Sequence, residues 1–440
     1  MSKKTFRAWP IDQDMLLPPS VSDFVPVGHM AHFVRDLVRE QLDLSAILEA
    51  YISARGYPPY DPGMMVALLL YGYSRGVYSS RRLARGCEER VDFMAVTGLQ
   101  QPDFRTISEF RKRHLEALSE LFSQVLVLCR EAGLVKLGHV ALDGTKIKAN
   151  ASKHKAMSYG RMAAAADKLA AEVAGWLAAA EAADRAEDAA FGPELRGDEM
   201  PDWMADKQKR LAKIREAKAA LEAEARAKAD AEAGEKAKQS KRPRAGRNAK
   251  HPPGTPKDKA QRNFTDPQSR IMKGRDGFIQ GYNAQAAVDA AHQIIVAQHV
   301  SDHSTDHGQL LPLADAIKSN LGRKPRELSA DTGYCSEANL AGLEERGIAA
   351  YVATGRWKKS GDALNKETRP RAEAMRRKLR KAGHRSRYRL RKQVVEPVFG
   401  QIKEARGFRQ FLMRGIEKTN AEWSLICTAH NLLKLAKATG

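Results

Sequence analysis

Cysteine is scarce in this chain. Cys87, Cys129, Cys335 and Cys427 are the full complement, and no two form a C-x-x-C pair. That excludes a disulfide framework or zinc ribbon and points to a reducing cytosol. Long apolar runs are lacking as well. The longest, Met64 to Tyr71, falls well short of the roughly 20 residues a membrane span needs, so no membrane is expected as a partner. The start, Met1-Ser2-Lys3-Lys4, leads into polar, Pro-containing sequence and is not read as a secretory signal. No P-loop, dinucleotide fingerprint or serine-nucleophile motif is present, so no organic cofactor is implied. Acid is in deficit too: 53 Asp and Glu stand against 74 Lys and Arg, a net charge of +21. Such an excess exceeds ordinary solubility charge and suits a polyanion, nucleic acid above all, through phosphate neutralisation and counterion release. What is there is 440 residues with 43% hydrophobic content. That excludes a wholly disordered chain and, at about 100–200 residues per domain, implies two to four domains.

The first 135 residues read as helical. Asp61-Pro62 offers an N-cap with Pro at the first helical position, directly before the apolar stretch. Ser79 or Ser80 is a second cap candidate, and Thr106 with Glu109 has capping-box spacing. An amphipathic run follows through Phe110, Leu115, Leu118, Leu121, Phe122 and Val125 to Gly133. With Arg105, Arg111 and Arg113, the segment 104–113 fits either a helix-turn-helix-like DNA reader or a plain bundle with a basic face.

From His139 the texture turns to strand, with Asp143 expected where the apolar part ends. Residues 153–240 are rich in Ala, Lys and Glu. Met162, Leu169 and Trp176, with Val173, and then Met204, Leu211, Ile214 and Leu221 keep seam spacing, and Gly192-Pro193 and 197–201 separate the two runs. This predicts an inserted antiparallel helical hairpin. The stretch 236–259 holds nine Lys or Arg against one Asp, so 241–262 is expected to be a disordered basic loop. Strands are expected at 277–289, 293–299, 326–331 and 348–354, and helices at 306–320, from Ser336 to Arg346, and around Glu396. Residues 355–392 carry sixteen basic residues and three acids. The element order is that of an RNase H-like α/β fold, here 136–152 plus 263–440, with the hairpin inserted after its first strand.

Three acids fall where such a fold places chemistry: Asp143 on the first strand, Asp331 at the end of the fourth, and Glu396 on the helix after the basic segment. Phosphoryl transfer assisted by two divalent ions needs hard oxygen ligands converging from separate elements. One acid at a strand end is weak evidence, since Asp often opens a turn. Three in this order, in a strongly basic chain, carry more.

The blocks Asp143-Gly144-Thr145-Lys146, Ala330-Asp331-Thr332-Gly333-Tyr334 and Glu396-Pro397-Val398-Phe399-Gly400-Gln401-Ile402-Lys403 resemble the three signature blocks of bacterial insertion-sequence DDE transposases. The closest likeness is to the group numbered eleven-eighty-two. Residues 56–62, 104–114, 263–267, 281–285 and 422–435 are similar to other blocks of that group, so the resemblance spans nearly the whole chain. It implies that Asp143, Asp331 and Glu396 bind two Mg²⁺ or Mn²⁺ ions. It also implies that Lys403 contacts phosphate at the element end. Related elements carry Tyr-x2-Arg-x3-Glu-x6-Lys; here Lys392 and Arg389 stand in the Arg and Tyr slots, with Arg391 and Tyr388 one residue off. Tyr388, Arg391 and Lys392 are therefore further candidate DNA contacts, against a plain basic surface. The implied activity is binding of terminal inverted repeats, strand cleavage at the element ends and joining of the 3′-OH to target double-stranded DNA. The implied assembly is a homodimer or higher at the nucleoid of a bacterial cytoplasm. The competing readings are a catalytically silent DNA-binding derivative and an interaction protein working through its stalk.

Other residues carry alternatives. His299, His303 and His307, with Asp302 and Asp306 interleaved, would line one face of a continuous helix as a metal site. The segment joins a strand to a helix, however, and that spacing is not expected to survive folding. Arg356, Trp357 and Lys358 offer a cationic stacking site for an unpaired base, or a buried anchor. Cys335, Trp423 and His430 read as packing.

Overall fold

The computed structural model describes residues 20–51, 59–191, 202–238, 252, 254–274, 277–355, 369–382 and 387–439. Its N-terminal part is helical: α1 (Met30–Glu40), α2 (Ser45–Leu48), α3 (Pro62–Ser74), α4 (Ser80–Glu89), α5 (Val91–Thr97), α6 (Phe104–Arg113) and α7 (Leu115–Glu131). The Asp61 carboxylate accepts the Met64 N–H at 2.9 Å, with Pro62 beginning α3. From Met65 to Ser74 every residue of α3 is buried, so this helix lies within the core rather than on it. Ser79 precedes α4 without a side-chain capping bond. The expected capping box at Thr106 is not used: Asp103 caps α6, taking the Arg105 N–H at 2.7 Å, and the amphipathic run breaks at His114 into two helices.

The main sheet starts with β1 (His139–Lys148) and continues, after an insertion, with β4 (Arg270–Gly274), β5 (Gly277–Asp289), β6 (Ile295–Ser301), β7 (Glu327–Ala330) and β8 (Ala349–Val352); the insertion carries the short β2 (Ala156–Ser158) and β3 (Gln261–Asn263). β1 pairs antiparallel with β5, from Val140 opposite Asp289 to Lys148 opposite Gly281, and parallel with β7, which pairs parallel with β8. β6 and the short β4 both pair antiparallel with β5 along the edge away from β1. The order β6-β5-β1-β7-β8, with β5 alone running against its neighbours β6 and β1, is the mixed sheet of an RNase H-like core. β1 is ten residues long, so Asp143 sits mid-strand rather than at its polar end.

Helices α10 (Leu310–Leu321), α11 (Glu337–Glu345), α12 (Pro370–Ala382), α13 (Leu390–Gly400) and α14 (Ile416–Thr439) complete the fold. Ser336 caps α11, accepting the Asn339 N–H at 3.1 Å. The insertion is a pair of long helices, α8 (Tyr159–Phe191) and α9 (Asp202–Lys238). Tyr159 bonds Glu222 at 2.7 Å and Lys207 pairs with Glu172 at 2.8 Å, which fixes them antiparallel. Met162, Leu211, Ile214 and Leu221 are buried between them. The side chains of Trp176 and Met204 lie outside the described residues. So does most of the stretch expected as a basic loop, but its end is structured: Gln261–Asn263 pairs with Ala156–Ser158, and Ala260 accepts the Tyr159 N–H at 2.7 Å.

One hydrophobic core runs from Val25 through the helices and the sheet to Leu435. α14 is its axis, packing on α3, α7 and β6. Trp423 is fully buried and donates its indole N–H to the Gln285 carbonyl at 2.9 Å, while Ser424 donates to the Ser119 carbonyl at 2.9 Å. The N-terminal helices are therefore built onto the sheet and not tethered beside it. No helix among the described residues is long and apolar enough to cross a membrane.

Candidate active site

Asp143 projects from β1 between α13 and the turn after β7. Its Oδ1 accepts the Gly144 N–H at 2.9 Å, and its Oδ2 accepts the Arg391 guanidinium at 2.5 Å. Arg391 also reaches Glu396 on its own helix, at 3.7 Å. Asp331 caps the single turn after β7 through the Gly333 N–H at 2.8 Å. Burial pushes the Asp143 carboxyl up to about 6; Arg391 pulls the other way, and the charge of Asp331 adds to the rise. Asp143 thus feels the like charge of Asp331, while Glu396 stays half exposed at 52%.

The two acids fit a hard divalent ion: both are carboxylates, they come from different elements, and a cation already stands against Asp143. The fit is not preassembled. Among the described residues no three His, Cys, Asp or Glu side chains stand close enough to hold an ion. What links Asp143 to Glu396 is Arg391, which contacts both.

Sequence reasoning placed Asp306 only with the histidines and not with the buried amides that hold it. Its Oδ1 accepts Asn283 Nδ2 at 2.6 Å and Gln285 Nε2 at 2.8 Å, and Lys146 Nζ lies 3.5 Å away. Asn283 and Gln285 are fully buried on β5. They stand two residues apart, hence on one face of an otherwise apolar strand, and that polar pair was the available signal. The segment around Asp306 does not form a histidine face: His299 belongs to β6, while His303 and His307 fall in the connection to α10.

The Gly144 position explains itself. A Cβ there would run into the Gln285 amide, and would lie 2.8 Å from Asn283 Oδ1 and 3.0 Å from Asp306 Oδ1.

Beyond the acids, the chain forms a groove of about 720 Å³ lined by Lys146, Lys148, Lys153, Lys403 and Arg409, with Phe278 at its edge. Lys403 bonds Thr145 Oγ1 at 3.0 Å and the Lys146 carbonyl at 3.3 Å, which seats it beside β1. It is not two regular turns beyond Glu396. Pro397 stands inside α13, and 401–405 continue as a π-helical turn. The Gln393 carbonyl, which Pro397 cannot serve, accepts Gln293 Nε2 at 3.2 Å instead.

The other candidates divide. Lys392, Arg105 and Arg113 are exposed, and Tyr388 is half-buried with its ring 5.9 Å from the Arg391 guanidinium. Arg391 is 8% exposed and turned onto Asp143 rather than outward. Arg111 needs correction: it is buried, bonding the Tyr73 hydroxyl at 3.1 Å, the Tyr78 carbonyl at 3.0 Å and Ser80 Oγ at 3.1 Å. It staples α6 to α3 and α4 and is not part of a DNA-facing surface. Arg356 and Lys358 lie outside the described residues, as does Trp357.

Two family models match the chain: a "Transposase domain (DUF772)" over residues 19–113 and a "Transposase DDE domain" over residues 237–432. Asp331 and Glu396 fall in the second match. Asp143 lies between the two and joins the site by geometry. Neither match reaches the numbered group. No curated protein and no solved structure matched the chain.

Proposed function

We propose, taking as premise that the chain belongs to the insertion-sequence DDE transposases, that Asp143, Asp331 and Glu396 are the acids that cut and rejoin the element's ends. A DDE transposase is a divalent-metal-dependent enzyme acting on DNA, so both a metal and a DNA partner follow from the family. The finer reading is ours: two Mg²⁺ or Mn²⁺ ions, terminal inverted repeats as the bound DNA, a homodimer or higher at synapsis, and action at the bacterial nucleoid.

The observation that carries the reading is the Asp143–Asp331 pair, held in repulsion with a guanidinium as counter-ion. Bound divalent ions activate the attacking oxygen and stabilise the leaving one. Asp143 on β1 and Asp331 in the turn after β7 would hold the cations. Glu396 joins them once Arg391 swings off Asp143, and the freed guanidinium is then placed for a phosphate. Lys403, Lys392 and Tyr388 hold the cut strand beside the acids, while Arg105, Arg113 and the helices up to residue 135 hold the flanking duplex. In the first step water attacks phosphorus and the DNA 3′-oxygen leaves, taking a proton to become a 3′-OH. In the second that hydroxyl attacks a target phosphodiester and displaces the target's own 3′-oxygen. Neither step needs a covalent link between protein and DNA.

The test places the gene's flanks on a supercoiled plasmid with purified protein, Mg²⁺ or EDTA, and Asp331→Asn as control. Breaks at the element boundary that need both metal and Asp331 are expected. Salt-sensitive binding without cleavage would instead support the silent DNA-binding reading, and absence of both would overturn the proposal.

A further inference from the structure

The ribbon of β4 and the first residues of β5 reaches past the end of β1. The β1–β5 ladder stops at Lys148 opposite Gly281, while β4 carries β5 back to Gly277. Phe278 sits on that overhang, opposite Lys273. Its ring is 65% exposed and belongs to neither hydrophobic core. Aromatic rings dominate the energetics of cores and interfaces because of the area they bury. A ring held out on a hydrogen-bonded ribbon, with no core to enter, is available to a partner.

A second observation gives the chemistry of that partner. Phe278 borders the groove lined by Lys146, Lys148, Lys153, Lys403 and Arg409, and the acid that lines it, Glu404, is paired with Arg409. Lys148 and Lys153 are exposed, and their ammonium groups make no hydrogen bond or ion pair among the described residues. Uncompensated cations beside an exposed ring are the pairing that holds unpaired nucleic acid, phosphates on the charges and bases on the ring. The space, about 720 Å³, is that of a small-ligand site. A duplex keeps its base faces stacked inside and offers the ring only a rim; an unpaired base offers a whole face. Lys146 and Lys148 also stand three and five residues beyond Asp143 on β1, about 10 and 16 Å of strand.

We propose that this groove binds an unpaired segment of DNA, with one base stacked on Phe278 and the neighbouring phosphates on Lys148 and Lys153. The inference rests on the reading of the chain as an enzyme that opens DNA at the element ends, and it adds the form of strand that the enzyme holds.

The experiment measures binding by the full chain, in EDTA so that nothing is cut, of oligodeoxynucleotides carrying an internal 2-aminopurine. Each is offered single-stranded and as its duplex. The single strand is expected to bind with quenching of the 2-aminopurine as it stacks. Phe278→Ala should weaken single-strand affinity about tenfold and remove the quench while duplex affinity stays within about twofold, and Phe278→Trp should restore both. Lys148→Gln combined with Lys153→Gln should flatten the salt dependence of single-strand binding by about 1.4, or about 0.7 for each phosphate contact.

Phe278→Ala binding the single strand as wild type would overturn the proposal. So would equal losses on single strand and duplex, which would make the ring part of a general DNA surface, or single-strand binding with no quench at any 2-aminopurine position. An unchanged salt slope in the lysine pair would remove the groove from the assignment. If the wild type binds neither form, the DNA reading itself falls. If it cuts the plasmid at the element boundary while Phe278→Ala keeps its single-strand affinity, only this inference falls. Phe278→Ala should melt with the wild type; should it melt lower, Phe278→Trp and the lysine pair decide.

Discussion

Glu422, buried, and Asp143, half-buried, are both acids that feel the charge of an arginine, and they serve opposite purposes. Glu422 lies on α14 and is 1% exposed. Its carboxylate accepts the Leu412 and Met413 backbone N–H groups at 3.0 Å. Burial raises its pKa, while the charge of Arg111 and those two N–H groups pull it down. Backbone donors cannot leave, and Arg111 is itself pinned by Tyr73, Tyr78 and Ser80. Asp143 has one local N–H and one long side chain, Arg391, whose own Nε is left unpartnered. A charge whose partner can depart is available for exchange with a ligand, whereas a charge tied by backbone serves the fold. Burial alone does not distinguish the two; the mobility of the partner does.

Paired neutral variants test that distinction most strongly. Asp143→Asn is expected to cut strand cleavage by at least about a thousandfold. Its stability at pH 7.5 should stay close to wild type, because relief of a buried negative charge offsets the lost Arg391 bond. Glu422→Gln should do the reverse. It replaces one carboxylate oxygen at the Leu412 N–H with an NH₂ group and strips Arg111 of a nearby counter-charge, at a cost of about 3–5 kcal/mol. Urea unfolding beside the plasmid assay reads both. Equal stability losses in the two variants would erase the contrast.

A histidine on the same helix sharpens the comparison. His430 is 1% exposed; Arg406 faces its Nδ1 at 3.3 Å, and its Nε2 donates to the Gln293 carbonyl at 2.9 Å. Burial, with Arg406 beside it, lowers its pKa from 6.5 to about 3. A depressed folded pKa means that the contribution is whole above pH 6.5 and is lost as pH falls towards 3. At pH 5 the loss is about 2 kcal/mol. Unfolding at pH 7.5 and 5.0 should show that decrement in wild type and a smaller one in His430→Gln. Parallel curves would show that the ring charges freely.

Much of this was legible in the chain, and the gaps have physical causes. Asp61-Pro62, Ser336 and the strands expected at 277–289 and 293–299, the second observed at 295–301, announced themselves because caps and strand texture are local. The elements bearing Asp143, Asp331 and Glu396 were readable in order, since topology follows element sequence. The meeting of Asp306 with Asn283 and Gln285 was not, because it joins residues 23 and 21 apart in sequence across the β5–β6 pair. Arg111 was misread as surface although Ile107, Phe110 and Arg111 share helical spacing, which puts the arginine on the apolar face. Arg391 and Lys392 differ by one residue, so helix phase, invisible to motif spacing, turns one inward and leaves the other in solvent. The core shared by the N-terminal helices and the sheet was the least visible feature, as it depends on contacts such as Ser424 with Ser119, 305 residues apart.

The smallest expected effect concerns the boundary between the two kinds of charge. Lys403 bonds β1 like a structural residue, yet it opens on a groove lined by Lys146, Lys148 and Lys153. If it serves DNA, Lys403→Ala removes one phosphate contact. The dependence of log affinity on log salt for element-end DNA should then flatten by about 0.9, with Asp143→Asn keeping the wild-type slope or steepening it. If Lys403 serves the fold, the slope stays put and the melting temperature drops instead. The two bonds it makes to Thr145 and Lys146 lie beside the Asp143 strand position, so the second outcome would move Lys403 into the company of Glu422 and Arg111. Binding isotherms between about 50 and 200 mM salt span a range wide enough to read that difference.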